Sequence, residues 1–215
     1  MKQDSKLIID SLVNRFPELE ICISDISKTI EIILKTIQEG KKILICGNGG
    51  SASDSLHIVG ELMKSFTKER KLSDKKIEKI KKDFPLDAEY LISNLQEAIP
   101  AISLVGETAL ITAYSNDQTS DLVFAQQIWG LGNKGDLLWA ISTSGNSQNI
   151  LYACKVAKIK EMKVIGLTGK TGTNLRQLSD ATIFAPSDVT YKIQEYHLPI
   201  YHAICLVLEN EVYGD

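Results

Sequence analysis

The sequence has no run of about 18 to 20 apolar residues, the length that a helix needs to cross a bilayer. Its first segment, MKQDSKLIIDSLV, sets acidic residues among short apolar runs, with neither the apolar core nor the small-residue cleavage site of a signal peptide. These absences argue against a membrane-spanning helix and a secretory leader. We therefore expect a cytoplasmic protein without a membrane partner.

Cysteine, histidine, glycine and proline are also scarce. The chain has four Cys and three His, and its 14 Gly and 5 Pro are too few for a linker-rich protein. The cysteines are widely spaced and form no CxxC motif, so we expect them to pack as small apolar side chains. The net charge of -3 lacks the positive excess that favours broad binding to nucleic acid. A nucleic-acid partner is therefore not expected.

What the sequence does contain is a series of short apolar runs separated by helical patterns. The first run, residues 42–46, ends at Gly47, as is typical of a parallel strand buried on both faces. Four similar runs follow at residues 101–105, 137–142, 164–168 and 181–185. Helices are predicted between most of them, one of them over residues 147–162.

Helical periodicity also marks both ends of the chain. Within residues 1–40, apolar side chains recur at steps of three and four after Pro17, at Leu19, Ile23, Ile26, Ile30, Ile33 and Ile37. A last helix is predicted over residues 189–213, with a possible kink at Pro199. Because strands alternate with helices and no compositional break divides the 215 residues, the sequence predicts one α/β domain with a parallel sheet.

One segment differs in charge from the rest of the chain. Residues 67–83, within a predicted basic helical insertion over residues 67–87, hold eight Lys or Arg against four Asp or Glu. Such a stretch could contact nucleic acid or an acidic partner. The simpler interpretation, which we favour, is a solvated helix that Leu72, Ile77 and Ile80 hold to the body.

Two loops rich in glycine and hydroxyl groups follow predicted strands. Loop 1, residues 47–54, reads GNGGSASD, and loop 2, residues 142–147, reads STSGNS. A helix start that follows such a loop offers free N–H groups and a partial positive charge to a phosphate or carboxylate. Loop 1 lacks the full GxGxxG spacing and no GxxxxGK[ST] occurs, so NAD and ATP are not expected. The alternative is that Ser147 caps a helix and the glycines only turn the chain.

Two pairs of side chains carry possible chemistry. His57 and Glu61 are four residues apart on the helix after loop 1, and therefore share a face. Gln194 and His202 are eight apart on the last helix, about 80° around its axis. Imidazole and carboxylate can exchange protons or bind a divalent metal such as zinc. Either pair could also be structural, and we interpret His197 as structural because it points elsewhere on its helix.

These motifs together resemble the phosphoheptose isomerases, which are sedoheptulose-7-phosphate isomerases of the SIS (sugar isomerase) fold. The resemblance rests on CGNGGSASDSLHIVGEL, Asn116-Asp117, ISTSGNS, LTGKTG and IQEYHLPIYH, which occur in that order from about residue 40 to the C-terminus. It implies a five-stranded parallel sheet flanked by helices, and a homotetramer with active sites between subunits. It also implies conversion of sedoheptulose 7-phosphate to D-glycero-D-manno-heptose 7-phosphate, for surface polysaccharide.

The resemblance also implies a role for individual residues. Glu61 would move a proton between C1 and C2 through an enediol(ate), and His202 would be the complementary acid. The phosphate would be held by hydroxyl-bearing residues: Ser51, Ser142, Thr143, Ser144 and Ser147. The sugar would be lined by Asn48, Gly49, Gly50, Asn116 and Asp117, together with Glu61 and Gln194. In members that contain zinc, one Zn²⁺ per subunit would be bound by His57, Glu61, Gln194 and His202.

The chain departs from the family pattern at two positions. Ser65, beside Lys64, stands where members often have an Arg, and Tyr191 stands where they often have an acidic residue. A different class of function is a non-catalytic SIS protein, either a replication-initiator-associating protein or a phosphosugar-binding regulator. The first lacks the Glu and His pair that this chain has, and the second needs a DNA-binding module, for which no segment is evident. The enzyme is therefore the favoured hypothesis.

Overall fold

Five apolar runs form one parallel sheet in the computed structural model, which describes residues 1–214. The strand order is β2–β1–β3–β4–β5, with all neighbours parallel. The strands are β1 (Ile43–Cys46), β2 (Ala101–Ser103), β3 (Leu137–Ser142), β4 (Lys163–Gly169) and β5 (Ala181–Ala185). The predicted five-stranded parallel sheet is confirmed. β1 is one residue and β2 two residues shorter than predicted, although the Leu104 N–H still donates to the Ile45 carbonyl at 2.8 Å.

Ten α-helices surround or extend this sheet in the described part of the chain. They are α1 (Gln3–Arg15), α2 (Ile23–Gln38), α3 (Gly50–Met63), α4 (Asp74–Asp83), α5 (Ala88–Asn94), α6 (Thr108–Asp117), α7 (Val123–Leu131), α8 (Gln148–Ile159), α9 (Thr173–Leu178) and α10 (Thr190–Tyr213). A 3₁₀ segment at Pro17–Cys22 precedes α2, so the predicted single helix after Pro17 is two elements. A second 3₁₀ segment, Ser120–Leu122, precedes α7. Helix α10 continues through Pro199.

The sheet is buried on both faces because its strand residues alternate between two cores. Ile43 and Ile45 face a core built with α1, α2, α3 and α10, whereas Leu44 and Cys46 face a core built with α7, α8 and α9. Every residue of β1 and β3 is buried. The four cysteines are free and buried, which confirms their interpretation as packing residues. None of the described helices is long and apolar enough to cross a membrane.

The basic segment differs from its prediction. Only α4 of the predicted 67–87 helix is helical, none of its residues is buried, and it packs chiefly against α5. Leu72, Ile77 and Ile80 are half-buried, and they line two grooves along the hairpin of α4 and α5. Residues 66–68 are not helical, and their N–H groups donate to the Glu209 carboxylate on α10, at 2.8 to 3.0 Å.

Glu209 is also half of a buried ion pair. Arg70 Nε donates to Glu209 Oε1 at 2.8 Å, and the two side chains are 0% and 1% exposed. The same guanidinium donates to the carbonyls of Leu62, at 2.6 Å, and Glu61, at 2.9 Å. Burial raises the pKa of Glu209, but the hydrogen bonds from Phe66, its neighbours and Arg70 outweigh it and leave the pKa below its usual value. The carboxylate therefore stays ionised and joins α10 to the end of α3.

We expect Glu209→Gln to lower the free energy of unfolding at pH 7 by about 3 kcal/mol, because it leaves Arg70 buried without its counter-ion. Urea denaturation measures this loss. Glu39→Gln, which removes an exposed pair with Lys35 (N to O 3.9 Å), is the matched control and should cost less than about 1 kcal/mol. A loss no larger than that of the control would show that the pair is not a structural tie.

The same ion pair predicts how the free energy of unfolding depends on pH. Because the folded pKa of Glu209 lies below its ordinary value of 4.5, its contribution is fully present above about pH 4.5 and is lost as the pH falls through the folded pKa. The stability difference between the unmodified chain and Glu209→Gln should therefore narrow in acid. A constant difference down to about pH 3.5 would contradict this assignment.

Candidate active site

The two loops lie where the strand order reverses. Loop 1 follows β1 and loop 2 follows β3, and these strands are neighbours in a 2-1-3-4-5 order. Open α/β sheets bind ligands beyond the carboxyl ends of their strands at this kind of switch point. Loop 1 meets the start of the helix after loop 2 there, since the side-chain amides of Asn48 and Asn149 are hydrogen-bonded to each other. A ligand at this edge would be within reach of both.

Loop 1 turns sharply into α3. Gly49 has φ 54° and ψ -120°, a backbone conformation that glycine adopts without steric cost. The Asn48 carbonyl accepts from the Ser51 N–H at 3.0 Å, and Ser51 is buried. Gly50 leaves room for Gln194 of α10, since a Cβ on Gly50 would lie 2.5 Å from Gln194 Nε2. Gln194 therefore packs directly on the start of α3.

Loop 2 is a cradle of hydroxyl and N–H groups. Gly145 has φ 65°, and a side chain there would overlap Gly172, which precedes α9. Ser147 does not cap α8 with its side chain; its hydroxyl lies 3.2 Å from that of Ser142. The N–H groups of Gln148 and Asn149 have no partner among the described residues. The simple capping interpretation of Ser147 is therefore wrong, and the helix start can receive an anion.

Helices α3 and α10 bring His57, Glu61 and His202 together. His57 Nε2 lies 3.1 Å from Glu61 Oε1 and 3.4 Å from His202 Nε2. The His57 ring is 43% exposed, whereas the Glu61 side chain is only 12% exposed. Burial and the charge of His57 lower the pKa of His202. A carboxylate and two imidazoles at these distances can move protons on a bound substrate.

Two residues of this cluster were missed from the sequence. The Tyr201 hydroxyl lies 3.0 Å from His57 Nδ1, and Asp54 lies beside that hydroxyl. Burial raises the pKa of Asp54 to about 6, against the lowering effects of Tyr201 and His57. Asp54 precedes His57 by three residues, a helical spacing that could have pointed to it. Tyr201 and Asp54 together orient the His57 ring from its Nδ1 side.

Lys64 supplies a positive charge close to the carboxylate. Its Nζ lies 3.4 Å from Glu61 Oε2, and the side chain is largely exposed. Ser65, which stands where family members often have an Arg, lies next along the chain with its N–H bonded to Gln96. Tyr191, the other departure, is exposed on α10.

The donor set suits zinc in its chemistry. Two imidazoles, a carboxylate and a carboxamide are nitrogen and oxygen donors, and the separations of 3.1 and 3.4 Å around His57 Nε2 resemble the ligand-to-ligand spacing of about 3.3 Å in a tetrahedral zinc site. Tyr201 provides the outer partner that ligand histidines usually have. However, no group of three or more His, Cys, Asp or Glu among residues 1–214 is arranged to hold a metal. The zinc assignment therefore stays a prediction.

The remaining predicted residues lie apart from this cluster. Asn116 and Asp117 are exposed at the end of α6 and bond to each other at 2.9 Å. Their proposed contact with the sugar stays a prediction. His197 is buried, and burial lowers its pKa to about 4, which fits its interpretation as a neutral structural residue.

Comparison with known proteins identifies the family. The SIS domain family model matches residues 10–81 and 91–169. A phosphoheptose isomerase of a Nitratiruptor species is 40% identical over 179 residues, 83% of this chain and 82% of that protein. The structure of phosphoheptose isomerase GmhA from Neisseria gonorrhoeae superposes with a TM-score of 0.73 at 29% identity over 97% of each chain.

A second solved structure, a phosphoheptose isomerase from Francisella tularensis, gives a TM-score of 0.72 at 30% identity over 98% of this chain and 100% of that one. The SIS domain model covers both loops and α3, and the matches to the two solved structures span 97% and 98% of this chain. The chain therefore belongs to the phosphoheptose isomerase family of SIS domain proteins.

Proposed function

We propose that this protein isomerises sedoheptulose 7-phosphate to D-glycero-D-manno-heptose 7-phosphate, in heptose biosynthesis for surface polysaccharide. The observation that carries the proposal is the meeting of Glu61 and His202 around His57, beside two anion-binding loops. Family membership and relatives named phosphoheptose isomerase support the same reaction. A cytoplasmic location belongs to the proposal, and the four free thiols agree with it.

The loops would bind the phosphate without any lysine. The free N–H groups at the start of α8 and the hydroxyls of Ser142 and Ser147 offer donors at one edge of the sheet. Ser51, Thr143 and Ser144 complete the proposed phosphate site. The sugar would extend from there across loop 1 toward α3, where Asn48 and Gln194 lie.

Glu61 and His202 would perform the proton transfers. The Glu61 carboxylate removes the proton from C1 of the ketose, which leaves an enediol(ate), and returns it to C2 to give the aldose. His202, on the facing helix, exchanges the proton between the two oxygens. The His57 ring lies between Glu61 and His202 and is held by Tyr201. The relative position of Glu61 and His202 therefore depends on the orientation of the His57 ring.

Zinc is part of the proposal. His57, Glu61, Gln194 and His202 would hold one Zn²⁺ per subunit, and the bound ion would polarise the substrate carbonyl as a Lewis acid. The protein's own contribution is to orient these donors: Tyr201 fixes the His57 ring, and Gly50 admits Gln194.

A homotetramer with sites between subunits also belongs to the proposal. An apolar groove of about 360 Å³ lies between α1 and α10, with His202 on its wall. Leu7 is 59% exposed there, and Leu198 is 41% exposed. Helix α6 has no buried residue although it carries the exposed Leu110. Exposed apolar surfaces of this kind favour association, and a second copy would cover His202.

The isomerase proposal predicts the effect of two substitutions. Glu61→Gln and His202→Ala should each lower kcat/KM for sedoheptulose 7-phosphate by about 10³-fold, because each removes a proton-transfer group. Conversion is followed by chromatography of the sugar phosphates, and circular dichroism confirms the fold. Glu78→Gln, on exposed α4, is the matched control and should be fully active.

If the unmodified chain binds the sugar phosphate but does not convert it, with and without added zinc, the protein is a binding protein and the proposal is wrong. Retained activity in either variant would reassign the base or the acid.

Metal analysis tests the zinc assignment separately. Protein purified without chelator should contain about one zinc per subunit, and His57→Ala should lose it because one of the four donors is gone. Glu78→Gln again serves as control. Full activity in protein shown to be metal-free would exclude a catalytic metal.

Light scattering after size-exclusion chromatography tests the assembly. Four copies of the 23.8 kDa chain should give about 95 kDa. Leu7→Glu should give assemblies of fewer than four subunits with lower activity, because assembly would bury the new carboxylate in the groove. Leu86→Glu, at a side chain that is 98% exposed on the hairpin, should leave the tetramer intact. A monomeric but fully active protein would overturn the shared-site proposal.

A further inference from the structure

Loop 1 and the first turn of α8, which follows loop 2, are joined by a reciprocal pair of hydrogen bonds. Asn48 Nδ2 donates to Asn149 Oδ1, and Asn149 Nδ2 donates to Asn48 Oδ1, both at 2.9 Å. The two residues are far apart in the sequence and belong to neighbouring strand-to-helix connections. We call this pair the amide clasp.

The backbone of α8 fixes the orientation of the clasp. The Ile150 N–H donates to Asn149 Oδ1 at 3.0 Å, which identifies that atom as the oxygen. Asn149 Nδ2 must then face the Asn48 oxygen. Both carboxamides are therefore held in one of their two orientations.

The clasp leaves Asn48 with groups to offer a ligand. A carboxamide has two N–H donors and two acceptor positions, and the pair uses one of each. One donor and one acceptor position of Asn48 remain, and the residue is exposed. A sugar hydroxyl, which both donates and accepts, matches this remaining pair.

The clasp joins the two halves of the site. Asn149 lies two residues after Ser147, in the first turn of α8 that receives the anion. Asn48 lies two residues before α3, the helix that carries His57 and Glu61. The clasp therefore sets the distance between the anion site and the helix that bears the proposed base.

Stability does not account for the clasp. Asn48 is exposed and Asn149 is only half-buried, so water can replace each hydrogen bond at little cost. The amide clasp therefore contributes little to folding. Because it lies between the two halves of a binding site, its main effect is on the alignment of those halves.

We propose that Asn149 is a positioning residue, which holds Asn48 and loop 1 in register with the phosphate loop. Its side chain acts through Asn48 and does not itself contact the substrate. This proposal rests on the proposed isomerase function and adds a residue to its binding site.

The test is the kinetics of Asn149→Ala and of Asn149→Leu, which keeps the side-chain volume but cannot hydrogen-bond. Both should raise the KM for sedoheptulose 7-phosphate about tenfold, with kcat within about threefold, because the substrate is aligned less well while Glu61 and His202 are untouched. The double variant Asn48→Ala/Asn149→Ala should be no worse than the poorer single variant. Asn94→Ala, an exposed amide that bonds to the Tyr90 carbonyl at 2.7 Å on α5, is the matched control.

Hydrogen exchange gives a readout that needs no substrate. The backbone N–H groups of residues 47–54 should exchange faster in Asn149→Leu than in the unmodified protein, although the substitution is in α8. A KM that stays normal in Asn149→Ala or in Asn149→Leu would overturn the proposal. Unchanged hydrogen exchange in loop 1 would also overturn it. If the unmodified chain does not isomerise the substrate, the proposed function fails, and the exchange experiment still decides whether the clasp orders loop 1.

Discussion

The buried contact between Arg70 and Glu209 is the constraint on which the site geometry depends. Two charges taken out of water are costly unless every hydrogen-bonding group is satisfied, and here Glu209 accepts from three backbone N–H groups, a hydroxyl and the guanidinium. Arg70 in turn donates to the carbonyls of Glu61 and Leu62. The end of α3 is thereby fixed to α10, and Glu61 is fixed relative to His202.

The sheet and two helices supply different chemical groups to the site. The sheet edge at β1 and β3 supplies N–H and hydroxyl groups for an anion, whereas α3 and α10 supply the ionisable side chains. This explains how a chain with a net charge of -3 can bind a phosphate. Helix starts and hydroxyls attract the anion locally, so an excess of lysine is not needed. The segment with the highest density of basic residues lies in and before α4, away from the loops.

The sequence predicted the parts of this structure that have a local signal. Strands buried on both faces read as short apolar runs, and the spacing of His57 and Glu61 on one helix follows from its period. The meeting of His57 with His202, 145 residues away, depends on how α3 packs on α10 and has no local signal. The same holds for the contact of Arg70 with Glu209 across 139 residues. The basic helix was predicted too long because the local pattern of residues 67–87 does not show that the start of this segment binds a distant carboxylate, Glu209, in a non-helical conformation.

Lys64 places a positive charge beside Glu61 although it lies beyond the end of α3. Helix α3 ends at Met63, and Lys64 has an extended backbone with φ -136° and ψ 173°. The direction of its side chain is therefore not set by the helix, and Nζ comes within 3.4 Å of the Glu61 carboxylate. Because the Arg70–Glu209 contact holds the backbone of Glu61 and of residues 66–68, Lys64 lies in a short bridge whose two ends are fixed. The charge near the proposed base therefore depends on this bridge and not on the residue type at position 65.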